Sequence, residues 1–212
     1  MKIDRAGYPF IGGALVPAAI AAAARRPAIA TSFALLGGFF AYFFRDPERQ
    51  VPQDPGLVVA PADGRVMFAG LADRRWAPAG EWKQITIFLS PLDVHINRTP
   101  VEGRVTKVEY RPGKFLPAYN EAANDNELNE LWLDSHGRTI VVRQVVGILA
   151  RRIVCRVVEG QNLARGERIG LMKFGSRMDV FLPTDAELRV RLGEHVVAGE
   201  TGLATLGSAG AR

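Results

Sequence analysis

Residues 8–24 and 27–44 are two nearly uncharged runs parted by Arg25 and Arg26, and beyond residue 61 the texture changes to short alternating runs between glycines. At 1.5 Å per residue the two runs predict helices of roughly 25 to 27 Å, close to the ~30 Å hydrocarbon core of a bilayer. They either span it marginally or dip in as a hairpin. Gly12, Gly13, Pro17, Gly37 and Gly38 would weaken a helix in water; in lipid they are tolerated, because the backbone there has no other partner. A signal peptide starting at Lys2 and Arg5 is the competing reading of the first run. The second apolar run and the lack of a polar cleavage region argue against it. If both runs cross, Lys2, Arg5, Arg45 and Arg49 outweigh Arg25 and Arg26, and the positive side places the rest of the chain on the cytoplasmic face of the cell membrane. Phe39, Phe40, Tyr42, Phe43 and Phe44 suit an interfacial belt.

Residues 45–61, rich in Pro and Asp, read as a linker leaving the membrane. Alternation then predicts strands over 57–60, 64–69, 82–89, 103–110, 131–134, 139–146, 152–158, 168–172, 179–181 and 187–191. Such spacing indicates a mainly β sandwich or barrel behind an N-terminal hydrophobic helical hairpin. The expected division is a membrane-associating leader, 1–44, and a β domain, 45–212. Residues 117–130 are acidic and Asn-rich, which suits a solvated loop or short helix, or a lid over a site. The tail beyond Leu206 is small and glycine-rich, as disordered termini are.

Composition narrows the classes. A chain of 212 residues accommodates one sizeable domain with a small appendage. Cys155 is the only cysteine, so no internal disulfide forms, and its alternating strand predicts a packed thiol. Net charge is +5, with arginine far outnumbering lysine. No nucleic-acid motif accompanies that charge, so beside an apolar leader the expected partner is an anionic lipid surface.

Candidate chemistry centres on Phe174-Gly175-Ser176-Arg177, where apolar alternation on both sides predicts two strands joined by a tight bend. Gly-Ser is a common turn pair. It also sets a hydroxyl beside a carbonyl that no Cβ shields, which allows attack on the chain itself. Two upstream stretches favour the second reading: Pro61-Ala62-Asp63-Gly64-Arg65-Val66, and residues 88–100, which contain Ser90-Pro91-Leu92-Asp93-Val94-His95-Ile96-Asn97-Arg98. With Phe44-Arg45-Asp46-Pro47, Tyr110-Arg111-Pro112-Gly113-Lys114-Phe115 and the run 144–155, the set resembles the phosphatidylserine decarboxylases of the short prokaryotic type, over about residues 44–183.

That resemblance implies a proenzyme that cuts itself between Gly175 and Ser176, giving a large chain 1–175 and a small chain 176–212 that pair as a heterodimer or a higher oligomer. It further implies that Ser176 becomes a pyruvoyl group, the covalent cofactor, which takes the lipid's serine amine as a Schiff base and holds the electrons released with carbon dioxide. No metal is expected. The chain is poor in lysine and lacks a phosphate-cradling glycine loop, which argues against pyridoxal phosphate. His95 is the candidate base, with Asp63 orienting its ring as in a triad. Longer relatives carry a second histidine three residues on, assigned to self-cleavage, and Arg98 stands there in this chain. Either His95 does both jobs or Arg98 and another base replace the missing group. Asn97, Arg98 and Tyr119, with Asn120 and Glu121 near it, are candidates for holding the lipid head group. The glycine turn at residues 192–200 looks like the hammerhead turns of biotinyl and lipoyl domains, in keeping with the barrel-sandwich core known for this family. Two other functions fit parts of the pattern. One is a pyruvoyl decarboxylase of a soluble amine precursor, which would not need the leader; the other is a membrane-tethered lipoyl-like adaptor, which would not need the Gly-Ser and Asp-Val-His stretches.

Overall fold

The computed structural model describes residues 2–118, 120–148, 152–173 and 176–207, with Glu121 and Ala122 in backbone only. The chain divides into two compact units, Met1–Glu48 and Arg49–Arg212. In the first, the short strand β1 (Lys2–Ile3) pairs antiparallel with β2 (Arg45–Asp46) around two helices, α1 (Tyr8–Ala23) and α2 (Pro27–Phe43). The Asp4 carboxylate accepts from the Ala6 amide at 2.9 Å and caps the 3-10 turn that leads into α1. Ala14, Ala18 and Ala21 are buried on α1, and Gly37 on α2 lies against Ala14 and Leu15; small residues at this seam let the helices approach closely. Val16, Ile20 and Leu35 face outward. The helical stretch Arg5–Ala23 is long and apolar enough to cross a membrane by length and composition, and Pro27–Phe43 is shorter.

The second unit is built of β3 (Leu57–Val59), β4 (Gly64–Leu71), β5 (Lys83–Leu89), β6 (Ile96–Arg98), β7 (Gly103–Arg111), β8 (Leu128–Ser135), β9 (Arg138–Val146), β10 (Ile153–Cys155), β11 (Asn162–Leu163), β12 (Arg168–Met172), β13 (Ser176–Leu182), β14 (Glu187–Leu188), β15 (His195–Val196) and β16 (Gly202–Thr205). An eight-stranded antiparallel sheet runs β11-β7-β8-β9-β13-β5-β4-β15, and two three-stranded sheets, β10-β12-β6 and β14-β16-β3, supply further walls of the core. Inward positions of the large sheet, such as Ile85, Ile87, Leu133, Val142 and Val180, join Val58, Ile169 and Leu203 of the smaller sheets in one apolar cluster. The mainly β architecture and the two helices agree with the alternation and the apolar runs.

Several particulars differ from expectation. The two strands expected on either side of the Gly-Ser step are present as β12 and β13 but belong to different sheets: β12 lies between β10 and β6, whereas both edges of β13 are taken by β5 and β9. Phe174 and Gly175, where the bend was expected, lie outside the described residues, as does the tail beyond 207. Residues 128–130, read as part of a solvated acidic loop, begin β8 instead, and Glu130 is completely buried. Cys155 is half-buried rather than fully buried, and as expected it packs against the core cluster, its Sγ 3.6 Å from the Val157 carbonyl.

Candidate active site

Ser176 opens β13, opposite Leu89 of β5 and Val146 of β9. Alternation turns its side chain to the same face as Met178, Val180 and Leu182, toward the core, and Arg177 to the other face. Ser176 is fully buried, and its Oγ has no hydrogen-bond partner among the described residues. A buried hydroxyl without a partner costs on the order of 1–3 kcal/mol, so its retention points to chemistry at this atom.

His95 reaches this region through β6. The Met172 amide donates to the His95 carbonyl at 3.4 Å, four residues before Ser176, while β6 pairs along β12. The ring is 1 % exposed, and its Nδ1 lies 3.0 Å from the Asp93 carbonyl. Because a carbonyl only accepts, Nδ1 carries the hydrogen, which in the neutral ring leaves Nε2 with the lone pair a base requires. Asp93 is itself held: its Oδ2 accepts from the Ser90 amide at 2.8 Å, and its Oδ1 lies 3.2 Å from His195 Nε2. Its part in setting the His95 tautomer was not foreseen, although it lies within the quoted motif.

Asp63 is buried, and the Arg98 amide, which donates to the Pro61 carbonyl at 2.8 Å, draws residues 61–64 alongside β6; the contact with the His95 ring expected of Asp63 is made by the Asp93 carbonyl instead. The Asp63 carboxylate accepts from Arg49 Nη2 at 2.8 and 3.0 Å and from the Ala198 amide at 2.8 Å. Gly64 explains the close fit. With φ of +151°, a Cβ there would stand 2.1 Å from the Phe88 carbonyl oxygen, on the strand paired to Ser176 and Arg177.

Asn97 and Arg98 take opposite faces of β6. The Arg98 guanidinium donates to the Gly166 carbonyl at 2.9 Å. Asn97 is fully buried: its Oδ1 accepts from Gln144 Nε2 at 2.9 Å, and Gln144 Oε1 accepts from Asn129 Nδ2 at 3.0 Å. Asn97 Nδ2 has no partner among the described residues. Gln144 and Asn129 were not singled out as site residues; the available signal was a polar residue in line with the inward alternation of each strand, Asn129 with Leu131 and Leu133, and Gln144 with Ile140 and Val142.

Tyr119 and the side chain of Glu121 lie outside the described residues. Asn120 and Asn124 line a cavity of about 370 Å³ together with Arg177, Thr86, Trp76 and Asp73. Arg177 donates to Asn124 at 2.7 Å and to Asp179 at 3.1 Å, so this chamber lies on the face of β13 away from the Ser176 side chain. Hydrogen bonds from Arg75 hold the Asp73 carboxyl below its usual pKa. His136 and His195 sit at the surface.

Comparison with known proteins fits this geometry. The family model described as phosphatidylserine decarboxylase matches residues 36–204. A phosphatidylserine decarboxylase proenzyme of Symbiobacterium thermophilum is 48% identical over 201 residues, covering 94% of this chain and 93% of its own length. Another, of Desulfotalea psychrophila, is 41% identical over 203 residues, covering 95% of each chain.

Proposed function

We infer the activity from one premise, that the chain belongs to the phosphatidylserine decarboxylase family: it is a carboxy-lyase that converts phosphatidylserine to phosphatidylethanolamine in phospholipid biosynthesis. We propose further that it is made as a proenzyme and cuts itself between Gly175 and Ser176, leaving residue 176 as a pyruvoyl group. The observation that carries this reading is Ser176 itself, a buried hydroxyl without a partner among the described residues, at the head of a central strand.

The surroundings fit such a group. Ser176 lies on the core face of a strand held on both edges, so a new chain terminus at residue 176 would keep its place in the ladder and the two chains would remain together as a heterodimer. A pyruvoyl carbonyl supplies the sink for the electron pair that decarboxylation releases beside nitrogen. The chain's own residues do the rest. His95, with hydrogen on Nδ1, removes the Ser176 hydroxyl proton at Nε2 during maturation and returns a proton to the substrate carbon in turnover. Arg98 is tied to Gly166 and faces away, which supports His95 in both jobs. Asp63, its carboxylate engaged by Arg49 and the Ala198 amide, anchors residues 61–64 beside β6, and Asn97 and Tyr119 hold the head group, with Arg98 fixing β6 behind them. The apolar leader keeps the domain on the cytoplasmic face of the membrane, where its two-tailed substrate lies.

Denaturing mass spectrometry tests the cleavage. The expected result is two fragments meeting at 175/176, the smaller with a blocked start; Ser176→Ala should give one chain and no carbon dioxide from phosphatidylserine. An uncut Ser176→Ala chain that keeps full activity would contradict the mechanism. Parallel assays with free serine should release none.

A further inference from the structure

We propose that Gln144 is a positioning residue for self-cleavage: it turns the Asn97 carboxamide so that Nδ2 is the group offered to the Ser176 hydroxyl oxygen as that hydroxyl moves to attack, which leaves the hydroxyl hydrogen for the base. The inference rests on the self-cleavage reading above.

The amides form a directed relay. Asn129 Nδ2 donates to Gln144 Oε1 and Gln144 Nε2 donates to Asn97 Oδ1, at 3.0 and 2.9 Å. With Oδ1 committed as acceptor, the remaining group of Asn97 is a donor. That donor is buried and has no partner among the described residues, and the acceptor Ser176 Oγ is in the same condition.

Register brings the two together. Gln144 pairs with Met178 and Val146 with Ser176, so Gln144 and Ser176 are diagonal neighbours on one face of the sheet, with Cβ atoms about 7–8 Å apart or less. Asn97 meets the far end of the Gln144 side chain on that face, two residues from His95 along an extended segment, so both turn to the same side.

The chemistry gives the donor a use. As the Ser176 Oγ–H bond breaks, its proton passes to His95. An Oγ–C bond forms to the carbonyl carbon of residue 175, and the C–N bond to residue 176 breaks as that nitrogen takes up the proton. A donor at Oγ occupies one lone pair and turns the hydrogen toward the base. An acceptor in the same place would capture that hydrogen and compete with His95.

Gln144→Glu makes that exchange without changing size. A carboxylate still accepts from Asn129 but cannot donate to Asn97 Oδ1, so the Asn97 amide must turn its Nδ2 to the new carboxylate and present Oδ1 to Ser176. A buried carboxyl titrates above its ordinary range, and once protonated it donates to Oδ1 again. Full chains made by cell-free translation onto phospholipid vesicles, with cleavage timed on denaturing gels, provide the readout. The expected Gln144→Glu rate is on the order of 10² below wild type at pH 8, with the ratio rising toward one as the pH falls to about 5. Gln144→Met, which fixes neither orientation, should be slower by about tenfold at a ratio that does not change with pH.

A Gln144→Glu rate equal to wild type throughout, or reduced by the same factor at every pH, overturns the relay. So does Gln144→Met cleaving at the wild-type rate, which keeps the test decisive if the first variant fails to fold. Ser176→Ala run alongside separates the two claims: if it is cut, the self-cleavage reading falls, whereas uncut Ser176→Ala beside a normal Gln144→Glu removes only the relay.

Discussion

Glu130, whose side chain has no exposure to solvent, accepts from Arg143 at 2.8 and 2.6 Å, from Arg111 at 2.9 Å and from Trp132 Nε1 at 3.3 Å. Arg143 also donates to the Trp76 carbonyl at 2.7 Å and stacks over Phe181. Breaking a buried pair leaves the other charge unsolvated, so Glu130→Gln should cost about 3–5 kcal/mol by urea denaturation. Replacing both, as Glu130→Leu with Arg143→Met, should cost distinctly less, because no orphaned charge remains. Neither change touches the inner face of the sheet, so cleavage at residue 176 should persist in whatever fraction folds. The burial of Glu130 was hidden in the sequence for a physical reason: charge in an Asn- and Glu-rich run reads as solvation, and its partner Arg143 is held in turn by the Trp76 carbonyl, far away in the chain. Ser176 and His95 were legible because their neighbours along the chain form motifs. The amide pair behind Asn97 was not, since a polar residue in an apolar strand shows its partner only once strands pair.

At the scale of elements, the three-residue strand β6 carries both His95 at its entry and Asn97, and its ladder partner is β12. Gly170 is opposite Asn97 with φ of +157°, and a Cβ there would lie 1.9 Å from the Val154 carbonyl oxygen of β10. Backbone cannot swing aside as a side chain does. Gly170→Ala should therefore lower stability by about 2–4 kcal/mol and slow cleavage at residue 176 together, as β6 loses its register. Gly193 is the control: its φ is +85° but nothing lies within 4 Å, so Gly193→Ala should cost only about 1 kcal/mol and leave cleavage unchanged. Thermal melts and gel-timed maturation of the two variants test the pair. Long alternating strands such as β5, β9 and β12 were legible from periodicity. β6 was not, because three residues between prolines carry too little alternation, and its place is set by β12. That β12 and β13 belong to different sheets was hidden for a related reason: β13 has its two edges filled by β5 and β9, and local pattern does not reveal which edges are already taken.

For the whole molecule, the proposed function assigns location to one of the two compact units and chemistry to the other. Val16, Ile20 and Leu35 expose apolar side chains on helices whose buried seam includes Ala14, Ala18, Ala21 and Gly37, as in helix pairs packed in lipid. Burying a side chain of this size in hydrocarbon is worth about 1.5–3 kcal/mol, and a lysine at mid-helix costs about 2.5–3.5 kcal/mol on the insertion scale. Ile20→Lys with Leu35→Lys should therefore move the full-length chain from the vesicle pellet to the supernatant in a flotation assay. Neither position is in the seam, so the helix pair need not unfold to accommodate them. Cleavage at residue 176 should continue at the wild-type rate, because Ser176, His95, Asn97 and Gln144 all belong to the unit Arg49–Arg212. Turnover should separate by substrate: long-chain phosphatidylserine in vesicles should be decarboxylated far more slowly, while a short-chain, water-dispersed phosphatidylserine should be used as before. If the double variant stays on vesicles, the leader is not what holds the enzyme there; if it loses the dispersed substrate as well, the leader takes part in the site rather than only delivering it.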